Sequence, residues 1–277
     1  MPDVLHLEEL VIRVGPRTLV DRVSLSVSAG ELAGLVGASG SGKTLTCRSL
    51  LGLVDLAPGV ISAQLRVPAP EGIVRPYDAI LGAAAPRRAR DRAFSRVRGR
   101  LVGYLAQNAP AALDPLRQVG YQVRSAAALA AREARRPRPS RAEAVPWLVR
   151  AGFDPPEARR IDRLYPHQLS GGMAQRVAIA QVLARGSAFL VADEPMTGLD
   201  ATIQQRLVRV LRTLADDGLG VLVVTHDLGL IGGIADRIHL MDAGRLVESW
   251  SREELASGTP STLAGQRLVD AARRGAW

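Results

Sequence analysis

The sequence predicts an α/β protein whose parallel sheet carries an inserted helical subdomain, and three observations predict it. Residues 188–192 (Ala-Phe-Leu-Val-Ala) and 220–225 (Gly-Val-Leu-Val-Val-Thr) are continuous apolar runs of strand length, separated by an amphipathic helical pattern at about 201–216. Runs of this kind fit parallel strands buried on both faces of a sheet. From about 108 to 186 the pattern changes to helix, rich in Ala, Leu and Arg and broken by Pro110, Pro137, Pro139, Pro155, Pro156 and Pro166. Upstream, a short apolar strand at Glu31–Val36 runs into a Gly- and Ser-rich turn, followed by a helical pattern at Lys43–Leu53.

The remaining elements follow in order. Residues 4–14 and 19–28 are β-branched, partly alternating segments joined by Gly15 and Pro16, as in adjacent strands. The helix at 43–53 ends near Gly52 and Pro58, and 60–106 reads as further short strands and loops with a basic helical stretch around 86–100. Residues 251–277 read as two short helices around Gly258 and Pro260. A chain of 277 residues has ample length for a full core, and 47% hydrophobic with 23% charged residues excludes a disordered chain. Cys47 is the only cysteine, so neither an internal disulfide nor a thiolate metal cluster is expected; it reads as a small buried residue on the first helix. No run of 18 apolar residues occurs, and Met1-Pro2-Asp3 lacks the layout of a signal peptide, so no membrane span is expected.

Charge is uneven along the chain. The formal net charge is +9, yet residues 75–163 alone hold 19 Arg against 8 Asp or Glu. Such asymmetry points to a face that meets nucleic acid, lipid headgroups or a partner, with a solvated Arg-rich surface as the plainer alternative. All 36 basic residues but one are arginine, and the exception is Lys43. A chain that keeps lysine at one place marks a site where a compact ammonium is needed and a planar guanidinium does not fit.

Lys43 lies in Gly37-Ala38-Ser39-Gly40-Ser41-Gly42-Lys43-Thr44, which fits the phosphate-loop pattern between a strand and a helix. Glycines let the backbone wrap phosphates, and successive amide N–H groups with the helix N-terminus form a positive concavity. Lys43 would neutralise β/γ-phosphate charge and the Thr44 hydroxyl would ligate Mg²⁺. The strand at 188–192 ends in Asp193 and Glu194. It delivers both carboxylates to its carboxyl end, where ligands sit in open α/β sheets. Asp193 could hold Mg²⁺, and Glu194 could act on the attacking water as general base. Another anion-binding helix start is Leu169-Ser170-Gly171-Gly172-Met173, followed by Ala174-Gln175-Arg176.

With that last motif the chain resembles the ATP-binding subunits of ABC transporters, whose signature reads this way. Gln107 resembles the glutamine loop of that family, Thr197-Gly198-Leu199-Asp200 the loop after its catalytic glutamate, and Val223-Val224-Thr225-His226-Asp227 its switch histidine. The wider context, Tyr165-Pro166-His167-Gln168 before the signature and Gln107-Asn108-Ala109-Pro110 through Leu113-Asp114-Pro115-Leu116, is similar to the oligopeptide, dipeptide and nickel importer subfamily. The resemblance implies a P-loop NTPase of ABC type over residues 1–250. It comprises a RecA-like core (about 1–107 and 187–250), a small N-terminal antiparallel β subdomain and a helical subdomain (about 108–186), with 251–277 as a short helical tail.

It also implies a mechanism. Two ATPase subunits, identical or paralogous, meet head to tail, so that Ser170, Gly171 and Gly172 of one face ATP held by Lys43 of the other. Gln107 senses the γ-phosphate and Mg²⁺ and couples to one of two membrane permease subunits. Glu194 and His226 act on the attacking water, and Asp200 communicates across the interface; Asp200 also reads as the N-cap of the helix at 201–216. The expected protein is a peripheral ATPase on the cytoplasmic face of a bacterial plasma membrane, fed indirectly by an extracytoplasmic solute-binding protein, importing a peptide, nickel or a metal chelate.

Three departures qualify the likeness. Val14 stands where the family places an adenine-stacking aromatic, Ala174 where the subfamily has a longer or basic residue, and Thr259-Pro260-Ser261-Thr262 replaces a His-Pro-Tyr-Thr element. They favour a nickel- or metallophore-type relative. An ABC-type ATPase acting on nucleic acid is the alternative raised by the basic balance, although no coiled coil or zinc module is visible. A non-hydrolysing regulatory subunit is a third, against which Glu194 and His226 speak.

Overall fold

The structure, a computed structural model, describes residues 3–81, 86–133, 144–257 and 260–274. Pro137, Pro139, Gly258 and Thr259 of the sequence reading, and four of the counted arginines (Arg135, Arg136, Arg138, Arg141), lie outside the described residues.

The chain opens with β1 (Val4–Val14) and β2 (Arg17–Ser28), an antiparallel pair as the alternating pattern predicts. β3 (Leu32–Val36) leads through the Gly-rich loop into α1 (Lys43–Ser49). β4 (Pro58–Ala69) then returns against β1 as a strand of 12 residues, longer than the short strands expected, and pairs with β5 (Gly72–Val74). Next come α2 (Arg87–Phe94), β6 (Val102–Leu105) and a run of helices: α3 (Ala109–Ala112), α4 (Val119–Glu133), α5 (Ala144–Arg150), α6 (Pro155–Ile161) and α7 (Gly171–Arg185). The second half alternates β7 (Phe189–Asp193), α8 (Ala201–Asp216), β8 (Gly220–Thr225) and α9 (Leu228–Gly232). It finishes with the hairpin β9 (Arg237–Asp242) and β10 (Arg245–Ser251), then α10 (Arg252–Ser257) and α11 (Leu263–Arg274).

Two sheets result. One is antiparallel, in the order β2-β1-β4-β5; the other runs β10-β9-β3-β8-β7-β6 and is parallel except for its β9–β10 edge. Strand periodicity divides the core between the two faces of the larger sheet. Leu190, Ala192, Val221 and Val223 point into one cluster with the α4–α9 helices, while Phe189, Val191, Leu222 and Val224 point into the other with β1, β2, β4 and α1. Both faces are therefore covered, which is why the central strands read as unbroken apolar runs.

Two helices stop earlier than the sequence suggests. α1 ends at Ser49 rather than Leu53, and α2 at Phe94 rather than about 100. α1 closes in tight turns around Gly52 at φ 62°, with Leu53 N bonding Arg48 O at 2.8 Å. Arg98, in the turn after α2, donates there from Nε to Leu51 O (2.6 Å) and from Nη2 to Gly52 O (3.0 Å) while pairing through Nη1 with Asp91 (2.7 Å). A guanidinium thus satisfies two carbonyls just beyond the end of the loop-bearing helix. Arg98→Ala leaves those carbonyls short of a donor and is expected to cost about 2–3 kcal/mol, read as a lowered urea midpoint at unchanged m-value.

Part of the arginine excess at 75–163 is engaged in ion pairs within the chain. Arg90 pairs with Asp55, Arg96 and Arg100 with Glu71, Arg117 with Asp114, Arg124 with Asp162, and Arg150 with Asp217. Part of this charge therefore ties loops to helices, while Arg88, Arg92, Arg159 and Arg160 lie exposed.

Candidate nucleotide site

The Gly-rich loop turns at the carboxyl end of β3, and backbone space dictates its glycines. At Gly37 φ is 154°, and a Cβ there would collide with the Met241 carbonyl and come within 2.9 Å of Ser41 Oγ. Only glycine lets the chain enter the turn this close to β9. The tip of the loop, Ala38, Ser39 and Gly40, is exposed, whereas Ser41 is buried with its Oγ unpartnered. An orphaned hydroxyl at the mouth of an N–H-rich loop is the chemistry of an anion cradle.

Lys43 is 4% exposed, and its Nζ donates to Gly37 O (2.8 Å) and Ala38 O (2.9 Å). Burial pulls its pKa below the ordinary lysine range, opposed by the nearby Glu194 and Asp193 carboxylates. Thr44 Oγ1 donates to Asp193 Oδ1 at 3.1 Å, while Tyr104 Oη donates to Asp193 Oδ2 at 2.9 Å. Both oxygens of the buried Asp193 are thereby oriented. Burial and then Asp193 push the Tyr104 phenol well above its usual range, so it is fixed as a donor.

Glu194 is the hub of a second cluster. Gln107 Nε2 and Thr197 Oγ1 each donate to its Oε2 at 3.1 Å, and His226 Nδ1 stands 3.6 Å from Oε1. Its backbone sits at φ 47°, a left-handed conformation that costs a non-glycine residue of order 1–2 kcal/mol and is tolerated here because Glu194 N bonds Val224 O on β8 (2.9 Å). The strain turns the carboxylate out of strand register. Gln107, expected at the metal as well, reaches Glu194 through its amide.

The structure thus brings together the 37–44 loop, Gln107, Asp193, Glu194 and His226. It does not join them to the signature: among the described residues no hydrogen bond or ion pair links Ser170, Gly171 or Gly172 to that loop. Ser170 caps α7, its Oγ accepting from Met173 N (3.3 Å), and a Cβ on Gly172 would run into Ile203 of α8. Asp200 caps α8 by accepting from Ile203 N at 3.0 Å, as the sequence suggested. Arg176, one turn into α7, is buried under Phe153 with its guanidinium carbon 3.8 Å from the ring centroid and bonds Gly152 O, fixing the signature helix to α5 and α6. Sequence reasoning missed Tyr104 and assigned Thr197 no contact. Tyr104 faces Val191 across the β6–β7 ladder, two residues from Asp193, and only strand pairing reveals that.

Comparison with known proteins agrees with this geometry. The family model described as ABC transporter matches residues 20–197. A nickel import ATP-binding protein, NikD of Pseudomonas putida, is 38% identical over 272 residues, covering 95% of this chain and 94% of the relative. The oligopeptide transport ATP-binding protein OppD of Mycobacterium tuberculosis is 39% identical over 240 residues, covering 84% of this chain; the chain spans only 36% of that relative's length. Among solved structures, cbiO1 from Clostridium perfringens superposes with a TM-score of 0.70 at 20% identity, over 93% of this chain and 92% of the other, and shows the shared fold. Family match, identity and site geometry concur, and the chain belongs to the ABC transporter family.

Proposed function

We propose that this chain binds ATP with Mg²⁺, hydrolyses it, and powers import of a small solute, a peptide, nickel or a metal chelate, through separate membrane permeases. The observation that carries the reading is the paired arrangement at the sheet's carboxyl edge: a lysine-bearing phosphate loop beside one carboxylate held by Thr44 and a second held by Gln107 and Thr197. The Thr44 hydroxyl and Asp193 carboxylate are hard oxygens in contact and suit Mg²⁺, which uses few protein ligands and fills its shell with phosphate and water. When bound, the ion would neutralise charge on the phosphates.

The chain's own residues supply the rest. Loop amides and Lys43 hold the phosphates, the ammonium exchanging the Gly37 and Ala38 carbonyls for phosphate oxygens. Glu194 accepts the proton of the attacking water; Gln107 and Thr197 keep its carboxylate oriented, and His226 flanks it. Ser170, Gly171 and Gly172 at the start of α7 offer an amide-rich face to the ATP of a second subunit, itself or a paralogue, in a head-to-tail dimer, with Asp200 beside that interface. Residues 108–186 form the permease-facing helical subdomain within a cassette of 1–250, and the protein works on the cytoplasmic membrane face. Among the described residues no helix is long and apolar enough to cross a membrane. Action on nucleic acid is not favoured, because the nickel import ATP-binding relative matches 95% of this chain and 94% of its own length.

Purification in mild detergent from the native membrane, with mass spectrometry of co-purifying chains, tests the assignment. Two multi-span permeases and a second ATPase are expected. Ribosomal or nucleic-acid components with no membrane protein overturn it.

A further inference from the structure

The C-terminal helix is held by one carboxylate. Glu248 on β10 accepts hydrogen bonds at Oε1 from Trp250 Nε1 (3.0 Å) and from the Ser261 backbone and hydroxyl (Oγ at 2.8 Å). At Oε2 it accepts from Thr262 Oγ1 (2.6 Å) and Thr262 N (3.2 Å). Thr262 Oγ1 in turn accepts from Gly265 N at 3.0 Å, capping the first turn of α11. Partial burial opposes ionisation of Glu248, but the donors from Thr262 and Ser261 win and hold its pKa down at about 2.

What α11 covers gives this latch a consequence. Val269 of α11 is 7% exposed and shares a core cluster with Trp250 and with Leu228 and Ile231 of α9, and Leu255 of α10 packs against the same cluster. α9 starts immediately after the switch: Asp227 caps it through Gly229 N (2.9 Å) and is tied back to Thr225 Oγ1 (3.0 Å). His226, with a side chain 55% exposed and Nδ1 3.6 Å from Glu194, sits between the end of β8 and this cap.

We propose that Glu248 is a positioning residue, latching α11 onto α9 and thereby holding His226 against Glu194. The inference rests on the hydrolytic reading of Glu194 and His226. The C-terminal tail is then part of the switch, and anything that lifts it slows hydrolysis while sparing nucleotide binding.

The test uses full-length Glu248→Ala, Glu248→Gln and the double variant Ser261→Ala/Thr262→Ala. Amide deuterium exchange is followed over 226–233 and over 37–44, and MgATP turnover is measured well below each variant's Tm. Expected for Glu248→Ala are faster exchange at 226–233 with no change at 37–44, and a kcat about tenfold lower with KM within about twofold. The double variant follows the same pattern, and Glu248→Gln, which keeps one acceptor oxygen, recovers part of both readouts. Unchanged exchange at 226–233, or a lower Tm with kcat intact, reduces Glu248 to a purely structural anchor and overturns the proposal. If the unaltered chain, assayed together with the ATPase and permeases that co-purify with it, fails to hydrolyse MgATP, the hydrolytic reading falls instead, and the exchange measurement still decides whether the latch exists.

Discussion

Glu194→Gln lowers turnover by orders of magnitude without weakening ATP binding: this is the expected result with the largest effect on chemistry. The substitution keeps side-chain size and one acceptor oxygen, so the Gln107 amide and Thr197 hydroxyl, both at 3.1 Å in the unaltered chain, retain a partner. The backbone bond from residue 194 to Val224 O is untouched, and the strand end keeps its place. What disappears is the group able to take a proton from water, a loss of about 10²–10⁴-fold in kcat for general-base catalysis. Binding moves in the opposite direction, because a carboxylate near the γ-phosphate repels it, and its removal stabilises the bound state. Steady-state ATPase assays with an equilibrium nucleotide titration read the two separately. Normal turnover in the variant would move the base elsewhere, and absence of turnover in the unaltered chain assembled with its co-purifying ATPase would revive the non-hydrolysing alternative.

Much of this architecture is legible in the sequence because local and tertiary demands coincide. α8 begins and ends where its apolar period and Asp200 cap place it, and β8 matches its apolar run, since burial on both faces leaves no other pattern possible. The β9–β10 hairpin was not legible. Its two-residue turn is Ala243-Gly244 with φ of 45° and 83°, so an alanine occupies a left-handed position where Asn, Asp or Gly normally announces the turn. β4 was hidden by Pro58, Gly59 and Pro68 at its two ends, which look like breakers although the strand between them pairs with β1 along most of its length and with β5 only at 67–69. The site divides in the same way. Lys43, Thr44, Asp193 and Glu194 announce themselves by motif, whereas Tyr104 acquires its role only through the ladder that sets it beside Asp193, and the reach of Glu248 to Ser261 and Thr262 depends on where a tail helix docks. Charge misled for a physical reason: composition counts arginines but cannot tell an arginine that faces solvent from one that closes a helix end, as Arg98 does.

Lys43→Arg is expected to fail as completely as Lys43→Ala in nucleotide binding, although it preserves charge. Everywhere else the chain uses arginine for a positive side chain, so the exception at position 43 has to be explained by the shape of its surroundings. Those surroundings are tight: the side chain is 4% exposed, and two of its three ammonium protons engage the Gly37 and Ala38 carbonyls at 2.8 and 2.9 Å. A compact ammonium rotates from carbonyl to phosphate oxygen within that space. A guanidinium is a planar fork with five donors and more bulk, and it cannot occupy the same volume without displacing the loop whose amides bind the phosphates. Burial also penalises any cation here, a cost the small ammonium offsets with short bonds and with the field of Glu194 and Asp193. Affinity for ATP is expected to fall about 100-fold or more in both variants, equivalent to roughly 2.7 kcal/mol, while Tm changes little because neither variant touches the two core clusters. Equilibrium titration with a fluorescent ATP analogue measures it. Near-native affinity in Lys43→Arg with loss in Lys43→Ala would show that the loop requires only positive charge, and the restriction of lysine to this one position would then have no steric origin.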